Sequence, residues 1–119
     1  MVIGVGVDIT EVRRLQKAVN RWSQDFLQRI FTGQELENAK DRTNLYQHLA
    51  GRFAAKEAVF KALGDKELGW KDVQILNDSE GKPYCAILNN RHKGIEVHIS
   101  ISHVKTYAVA TAIITQKTK

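Results

Sequence analysis

Cysteine is almost absent from this chain, and that absence already excludes a good deal. One residue of 119 is a cysteine, Cys85. An intrachain disulfide is ruled out, a zinc site built on cysteine alone is ruled out, and a lone thiol suits a reducing compartment. Long apolar runs are also missing: no segment approaches the roughly 18 unbroken apolar residues that cross a bilayer. The N-terminal MVIGVGVDIT has no basic stretch ahead of its apolar residues and reaches Asp8 early, unlike a secretory leader. Low-complexity tracts, internal repeats and linkers are not found. These absences predict a single domain over residues 1–119, cytoplasmic, with no membrane partner. A lone domain of this size buries only about two-thirds of its unfolded surface, so association with further copies is in keeping with its length.

What is present is an ordinary globular composition, 43% hydrophobic and 26% charged. Positive charge is in surplus, with 18 Lys and Arg against 13 Asp and Glu and a net charge of +5. That balance favours an anionic partner: nucleic acid, a nucleotide-like cofactor or an acidic protein. No nucleic-acid reader motif accompanies it, and the basic stripe of the first helix is not interleaved with exposed aromatics. No nucleic-acid partner is therefore expected. Gly4-Val5-Gly6 begins like a dinucleotide-binding fingerprint, but position 9 is isoleucine and no second parallel strand follows.

Residues 2–7 are β-branched and glycine, which predicts a short buried strand stopping at Asp8. Asp8-Ile9-Thr10-Glu11 has capping-box spacing and predicts a helix from there to about residue 20. Val12, Leu15, Ala18 and Val19 form its apolar side; Arg13, Arg14, Lys17 and Arg21 lie mostly opposite. A short helix opens at Ser23. A second capping box, Thr32-Gly33-Gln34-Glu35, opens another helix to about residue 42. Asn44 caps a long helix that Gly64 ends as a C′ glycine does. Beyond Gly64 the apolar period changes from helical to alternating. Strands are predicted at 73–76, 84–88, across Val97, Ile99 and Ile101, and at 107–114, with NDSEGKP and 103–106 as turns. Helices first and hairpins second, behind an N-terminal strand, predict an α+β fold with a mainly antiparallel sheet covered by the long helix.

The stretch GRFAAKEAVFKALG, residues 51–64, carries charge into a helix otherwise suited to a core. At roughly 100° per residue, Ala50, Glu57 and Lys61 fall within about 40° of one another, flanked by Phe53, Phe60 and Ala54. Ala54, Ala55, Ala58, Val59 and Ala62 make a stripe of small residues that lets another element approach closely. Arg52 and Lys56 form a second polar stripe beside Leu63. A carboxylate among phenylalanines is costly unless something positive meets it. On the residues alone, Glu57 and Lys61 could be only an i,i+4 pair contributing a few tenths of a kcal/mol, and an N-cap accounts for Asp8 by itself. Two carboxylates on different rigid elements, with a lysine one turn on, equally make a Mg²⁺ and phosphate site, since Mg²⁺ takes only one or two protein carboxylates.

Three blocks, GVGVDITEVRRL, HLAGRFAAKEAVFKALG and HISISHVKTYAVA, resemble the holo-[acyl-carrier-protein] synthase family of 4′-phosphopantetheinyl transferases. They stand in the family's order over nearly the whole chain. The resemblance implies the α+β phosphopantetheinyl transferase fold, assembled as a homotrimer with active sites at the subunit interfaces. It implies transfer of the 4′-phosphopantetheine arm of coenzyme A to a serine of apo acyl carrier protein, with Mg²⁺, releasing adenosine 3′,5′-bisphosphate. By the same resemblance Asp8 and Glu57 are the metal ligands, and Glu57 is also a candidate base. Lys61 meets the pyrophosphate. His103, Arg52 and Gly64 belong to the coenzyme A site, and Arg13 and Arg14, extended by Lys17 and Arg21, meet the acidic second helix of the carrier. One departure stands out: the family continues past this helix as Gly-Thr-Gly, whereas Gly64 is followed here by Asp65 and Lys66. An acidic group near phosphates is unfavourable unless it turns away or pairs with Lys66. A degenerate, non-catalytic carrier-binding member is the alternative that this departure raises.

Overall fold

The computed structural model describes residues 1–117; the last two residues of the expected domain lie outside the described residues. The elements run in the order β1 (Val2–Glu11), α1 (Val12–Ile30), α2 (Gly33–Ala39), α3 (Leu45–Leu63), β2 (Val73–Asn77), β3 (Pro83–Ile87), β4 (Ile95–His103) and β5 (Tyr107–Gln116). A short 3₁₀ turn, Trp70–Asp72, leads into β2. Strands β1, β5 and β4 form one antiparallel sheet with β5 in the centre, and β2 and β3 form a separate antiparallel hairpin. Helix α3 lies across the inner face of the larger sheet. The architecture is the expected α+β one.

Small residues set the spacing between α3 and this sheet. Ala108, Ala110 and Ala112 of β5 are fully buried against Ala50, Ala54, Ala55 and Ala58 of α3. The glycines of β1 go further. A methyl group at Gly4 would sit 2.1 Å from the Ala62 carbonyl oxygen, and one at Gly6 would sit 2.0 Å from that of Ala58. Gly4-Val5-Gly6 is therefore a packing device that lets strand backbone lie directly on helix backbone.

The first helix begins later than its capping-box spacing predicts. Strand pairing continues to Glu11, which faces Tyr107 in the β1–β5 register, so Asp8 is a mid-strand residue and not an N-cap. The helix N-terminus at Val12 is satisfied instead by the Thr106 carbonyl, at 2.9 Å. The predicted break at Ser23 is present as a kink (φ 52°, ψ −130°) inside a continuous α1. Thr32 and Glu35 form the reciprocal capping box of α2, which ends at Ala39, short of the predicted residue 42. Asn44 occupies the N-cap position of α3 without a side-chain cap, and Gly64 ends that helix in the left-handed region (φ 66°).

The second polar stripe of α3 is not a solvent face. Arg52 is buried, and Lys56 is fully buried. The Lys56 ammonium lies 2.7 Å from Glu35 Oε1 and donates to the carbonyls of Ile30, Trp70 and Val73. Glu35 also accepts from the Thr32 and Ile75 amides. Charge on a helix otherwise reads as exposure; here backbone oxygens and one carboxylate supply what water would have supplied.

Candidate active site

Inward-facing positions of β1 alternate with outward ones, so Asp8 shares the face of Gly4, Gly6 and Thr10 and looks toward α3. There the Lys61 ammonium donates to Asp8 Oδ1 at 3.2 Å and to the Val7 carbonyl at 3.1 Å. The Thr10 hydroxyl donates to Asp8 Oδ2 at 3.0 Å. The i,i+4 pair is not formed: among the described residues the only salt bridge of Lys61 is to Asp8, and Glu57 has none.

Asp8 and Glu57 line one cavity of about 330 Å³, with Thr10, Glu11, Arg14, Leu15, Phe26 and Phe53 around them. Burial first, and the Asp8 charge second, raise the Glu57 carboxyl pKa; Lys61 opposes both. Phe53 belongs to the cavity wall as expected. Phe60 does not: it packs edge-on against Trp70, on which Phe53 stacks. Arg14 brings the basic face of α1 into the same cavity, while Arg13, Lys17 and Arg21 continue that face, all exposed. The Arg21 guanidinium rests over the Trp22 ring.

Arg52 and His103 lie elsewhere. They line a larger cavity of about 560 Å³ with Arg42, His48, Asn77 and Ile101. Arg52 Nη2 donates to Asn77 Oδ1 at 2.8 Å, and burial followed by the neighbouring Arg42 lowers its pKa from 12.5 to about 10. Five residues separate Arg52 from Glu57 on α3, about 140° of rotation, so the two cavities open on different sides of the helix. Within one chain the predicted residues thus form two clusters: Asp8, Glu57, Lys61 and Arg14 in one place, Arg52 and His103 in another. Gly64 lines neither cavity. Arg42 carried no sequence signal and joins the second cluster through the α2–α3 connection; His48 opens the block HLAGRFAAKEAVFKALG, one turn before Arg52 on α3, and was given no role there.

Asp65 is neutralised, though not by Lys66. Arg91 donates to both of its carboxylate oxygens at 2.9 and 3.0 Å, and His92 Nε2 lies 2.8 Å from Oδ2. Hydrogen bonds from Arg91, His92 and the Glu67 amide hold its carboxyl well below the usual carboxylate range.

The outer face of the larger sheet is apolar and open. Val5, Val7 and Ile9 of β1 are 65%, 55% and 66% exposed and stand opposite Ile113, Thr111 and Val109 of β5. No helix among the described residues is long and apolar enough to cross a membrane.

Comparison with known proteins gives a consistent answer. Residues 4–112 match the 4′-phosphopantetheinyl transferase superfamily. A holo-[acyl-carrier-protein] synthase of Protochlamydia amoebophila is 45% identical over 95% of this chain and 98% of its own length. One from Halothermothrix orenii is 40% identical over 95% and 97%. Among solved structures, the holo-(acyl-carrier-protein) synthase of Bacillus anthracis in complex with CoA (3′,5′-ADP) superposes with a TM-score of 0.84, at 37% identity over 99% of both chains. The Helicobacter pylori enzyme in complex with coenzyme A gives 0.85, at 31% identity over 93% of this chain and 99% of that one. With matches of this length on every element that builds the two clusters, the chain belongs to the holo-[acyl-carrier-protein] synthase family of 4′-phosphopantetheinyl transferases.

Proposed function

We propose that this protein moves the 4′-phosphopantetheine group of coenzyme A onto a serine of an apo acyl carrier protein, releasing adenosine 3′,5′-bisphosphate. The carrier is thereby activated for fatty-acid or polyketide synthesis. The observation that carries the reading is the meeting of Asp8 from β1 with Lys61 from α3, beside Glu57 in one partly apolar cavity. It is reinforced by the relatives' identity and by the coenzyme A complexes of two of them.

The carboxylates suit a divalent cation. Glu57 is half-buried, is pushed toward its neutral form by burial and by Asp8, and has no salt bridge of its own among the described residues. A hard cation relieves both effects. One or two carboxylates are the usual protein share for Mg²⁺, whose remaining positions go to phosphate oxygens and water. Asp8 and Glu57 are the proposed ligands; bound there, Mg²⁺ supplies charge neutralisation at the pyrophosphate.

The serine oxygen attacks the pantetheine-side phosphorus. A new P–O bond forms there as the bridging P–O bond breaks, and the bisphosphate leaves with that bond's electron pair. Glu57, beside the attacking hydroxyl, is the residue proposed to take the serine proton. Lys61, held by Asp8 and the Val7 carbonyl, stabilises charge on the leaving phosphate. The basic face of Arg13, Arg14, Lys17 and Arg21 steers the acidic helix of the carrier toward the cavity that Arg14 lines.

Arg52 and His103 bind the nucleotide end of coenzyme A from a neighbouring subunit. The two cavities open on different sides of α3, so one chain alone does not bring both clusters to a single pyrophosphate. The exposed apolar face of β1 and β5 supplies the surface for a homotrimer. Gly64 is assigned to the nucleotide loop only as the turn that sets its direction. The whole chain is taken as a single domain. Its one free thiol, Cys85, accords with a reducing compartment, and the cytoplasm is the proposed location.

An intact-mass assay tests the reading. Apo acyl carrier protein, coenzyme A and Mg²⁺ are mixed with the purified protein, alongside an EDTA control. The carrier gains one phosphopantetheine arm, and EDTA prevents the gain. Absence of any gain with several carriers, with binding retained, identifies the non-catalytic carrier-binding alternative.

A further inference from the structure

His48 sits in the larger cavity, one helical turn before Arg52, and the transfer chemistry gives it no task. Its Nε2 is shut off from solvent and has no hydrogen-bond partner among the described residues. Charged and titratable groups face the cavity from three elements. Arg52 comes from α3 itself, Arg42 and Asp41 from the α2–α3 connection, and His103 from the end of β4. The β2–β3 hairpin contributes Asn77, Gly81 and Pro83, none of them charged. Among these groups cations outweigh the one carboxylate.

The ring is accordingly disfavoured as a cation. Burial first, then Arg52, Arg42 and His103, bring its pKa from 6.5 down to about 4. Two of these causes, Arg52 and Arg42, are standing positive charges whose effect an anion in the cavity offsets.

We propose that His48 is a proton-linked recognition residue: a phosphate group bound among Arg42, Arg52 and His103 offsets the positive charge around the His48 ring, which takes up a proton on binding and favours the ligand through its charge. The inference rests on reading this cavity as the nucleotide site. It adds a device that the family resemblance did not assign. The sign follows from the two midpoints. The ring titrates near 4 in the protein alone and higher in the complex. Protonation therefore favours binding, and affinity weakens as pH rises through the interval between the two. Phosphate monoesters titrate near 6 themselves, so the ring must be observed directly.

The test is a pH titration of imidazole ¹⁵N resonances in the full-length protein. It is run alone, with saturating adenosine 3′,5′-bisphosphate, and with inorganic pyrophosphate. The four histidines are assigned with His48→Phe or, should that variant not fold, by elimination with glutamine variants of His92, His98 and His103. The His48 midpoint is expected to move from about 4 to about 6 or higher on saturation. In wild type, calorimetry in buffers of different ionisation heat then registers proton uptake on binding, and His48→Phe reduces it. A nucleotide that saturates the site while the His48 midpoint stays put overturns the inference and leaves the nucleotide reading intact. A midpoint moved by pyrophosphate, with no binding of the bisphosphate, upholds the proton link and overturns the coenzyme A reading. If neither anion binds, both fall.

Discussion

The Lys61 ammonium lies 3.2 Å from Asp8 Oδ1, joining β1 to α3 across fifty-three residues of chain. Glu57, one turn from Lys61 on the same helix, is left without a salt bridge among the described residues. Its carboxyl is raised by burial and by Asp8. An acid whose folded-state pKa is raised costs nothing below its unfolded value of 4.5; the cost grows as pH climbs from there and is complete above the raised midpoint. Glu57→Gln should therefore be at least as stable as wild type at neutral pH, with any gain disappearing below about pH 4.5. Transferase activity in the same variant should fall by about 100-fold or more. Thermal melts at two pH values and the mass assay check both halves, and full activity would remove Glu57 from the chemistry.

The separation of the two clusters makes a sharper demand. Glu57→Gln and Arg52→Ala subunits, each nearly inactive alone, should recover activity when co-expressed and purified as mixed oligomers. An intact Glu57 from one subunit then meets an intact Arg52 from its neighbour. Mixed oligomers as inactive as their parents would place the whole site within one chain.

Reversing a charge on α1 should act on encounter. Arg14→Glu is expected to raise the KM for the carrier about tenfold, more at low salt than at high, and to leave the KM for coenzyme A unchanged. Steady-state kinetics at two ionic strengths distinguish this from a general loss of activity.

Lys56 serves the fold. Lys56→Met leaves Glu35 buried without its ammonium partner and takes a donor from three carbonyls. A destabilisation of about 3–5 kcal/mol is expected, read by chemical denaturation. Replacing Glu35 and Lys56 together by apolar residues should cost less than Lys56→Met alone.

What could be read from sequence was local. The Thr32 capping box, the αL glycine at 64, the break at Ser23 and the alternation of β4 and β5 are contained within a few residues each, and all are present. Where a local signal met a distant partner, the distant partner won. The capping-box spacing at Asp8 gave way to pairing of Glu11 with Tyr107. Arg52 and Lys56, a polar stripe on a helical wheel, are buried because Asn77, Glu35 and three carbonyls from other elements close over them. Asp65 looked like a liability beside phosphates because Arg91 and His92 are twenty-six and twenty-seven residues away in the chain. The motif blocks located Asp8, Glu57 and Lys61. They contained His48 but gave it no role, and they did not reach Arg42, which only the tertiary fold brings beside Arg52.

The glycines of β1 bear on how the site ages. Gly6 allows the strand to rest on the Ala58 carbonyl, where a methyl group would come within 2.0 Å. Gly6→Ala is expected to cost about 1–3 kcal/mol or more and to lower activity beyond what that loss explains, because Asp8 is carried away from α3. The converse matters more. With main chain against main chain, the gap between β1 and α3 at Gly4 and Gly6 is held by backbone and by the small residues around it. A core residue of the hairpin such as Ile75, away from that contact, is expected to accept a change of size with less effect on the distance on which the chemistry depends. A lineage can therefore rewrite that part of its interior and keep the same reaction.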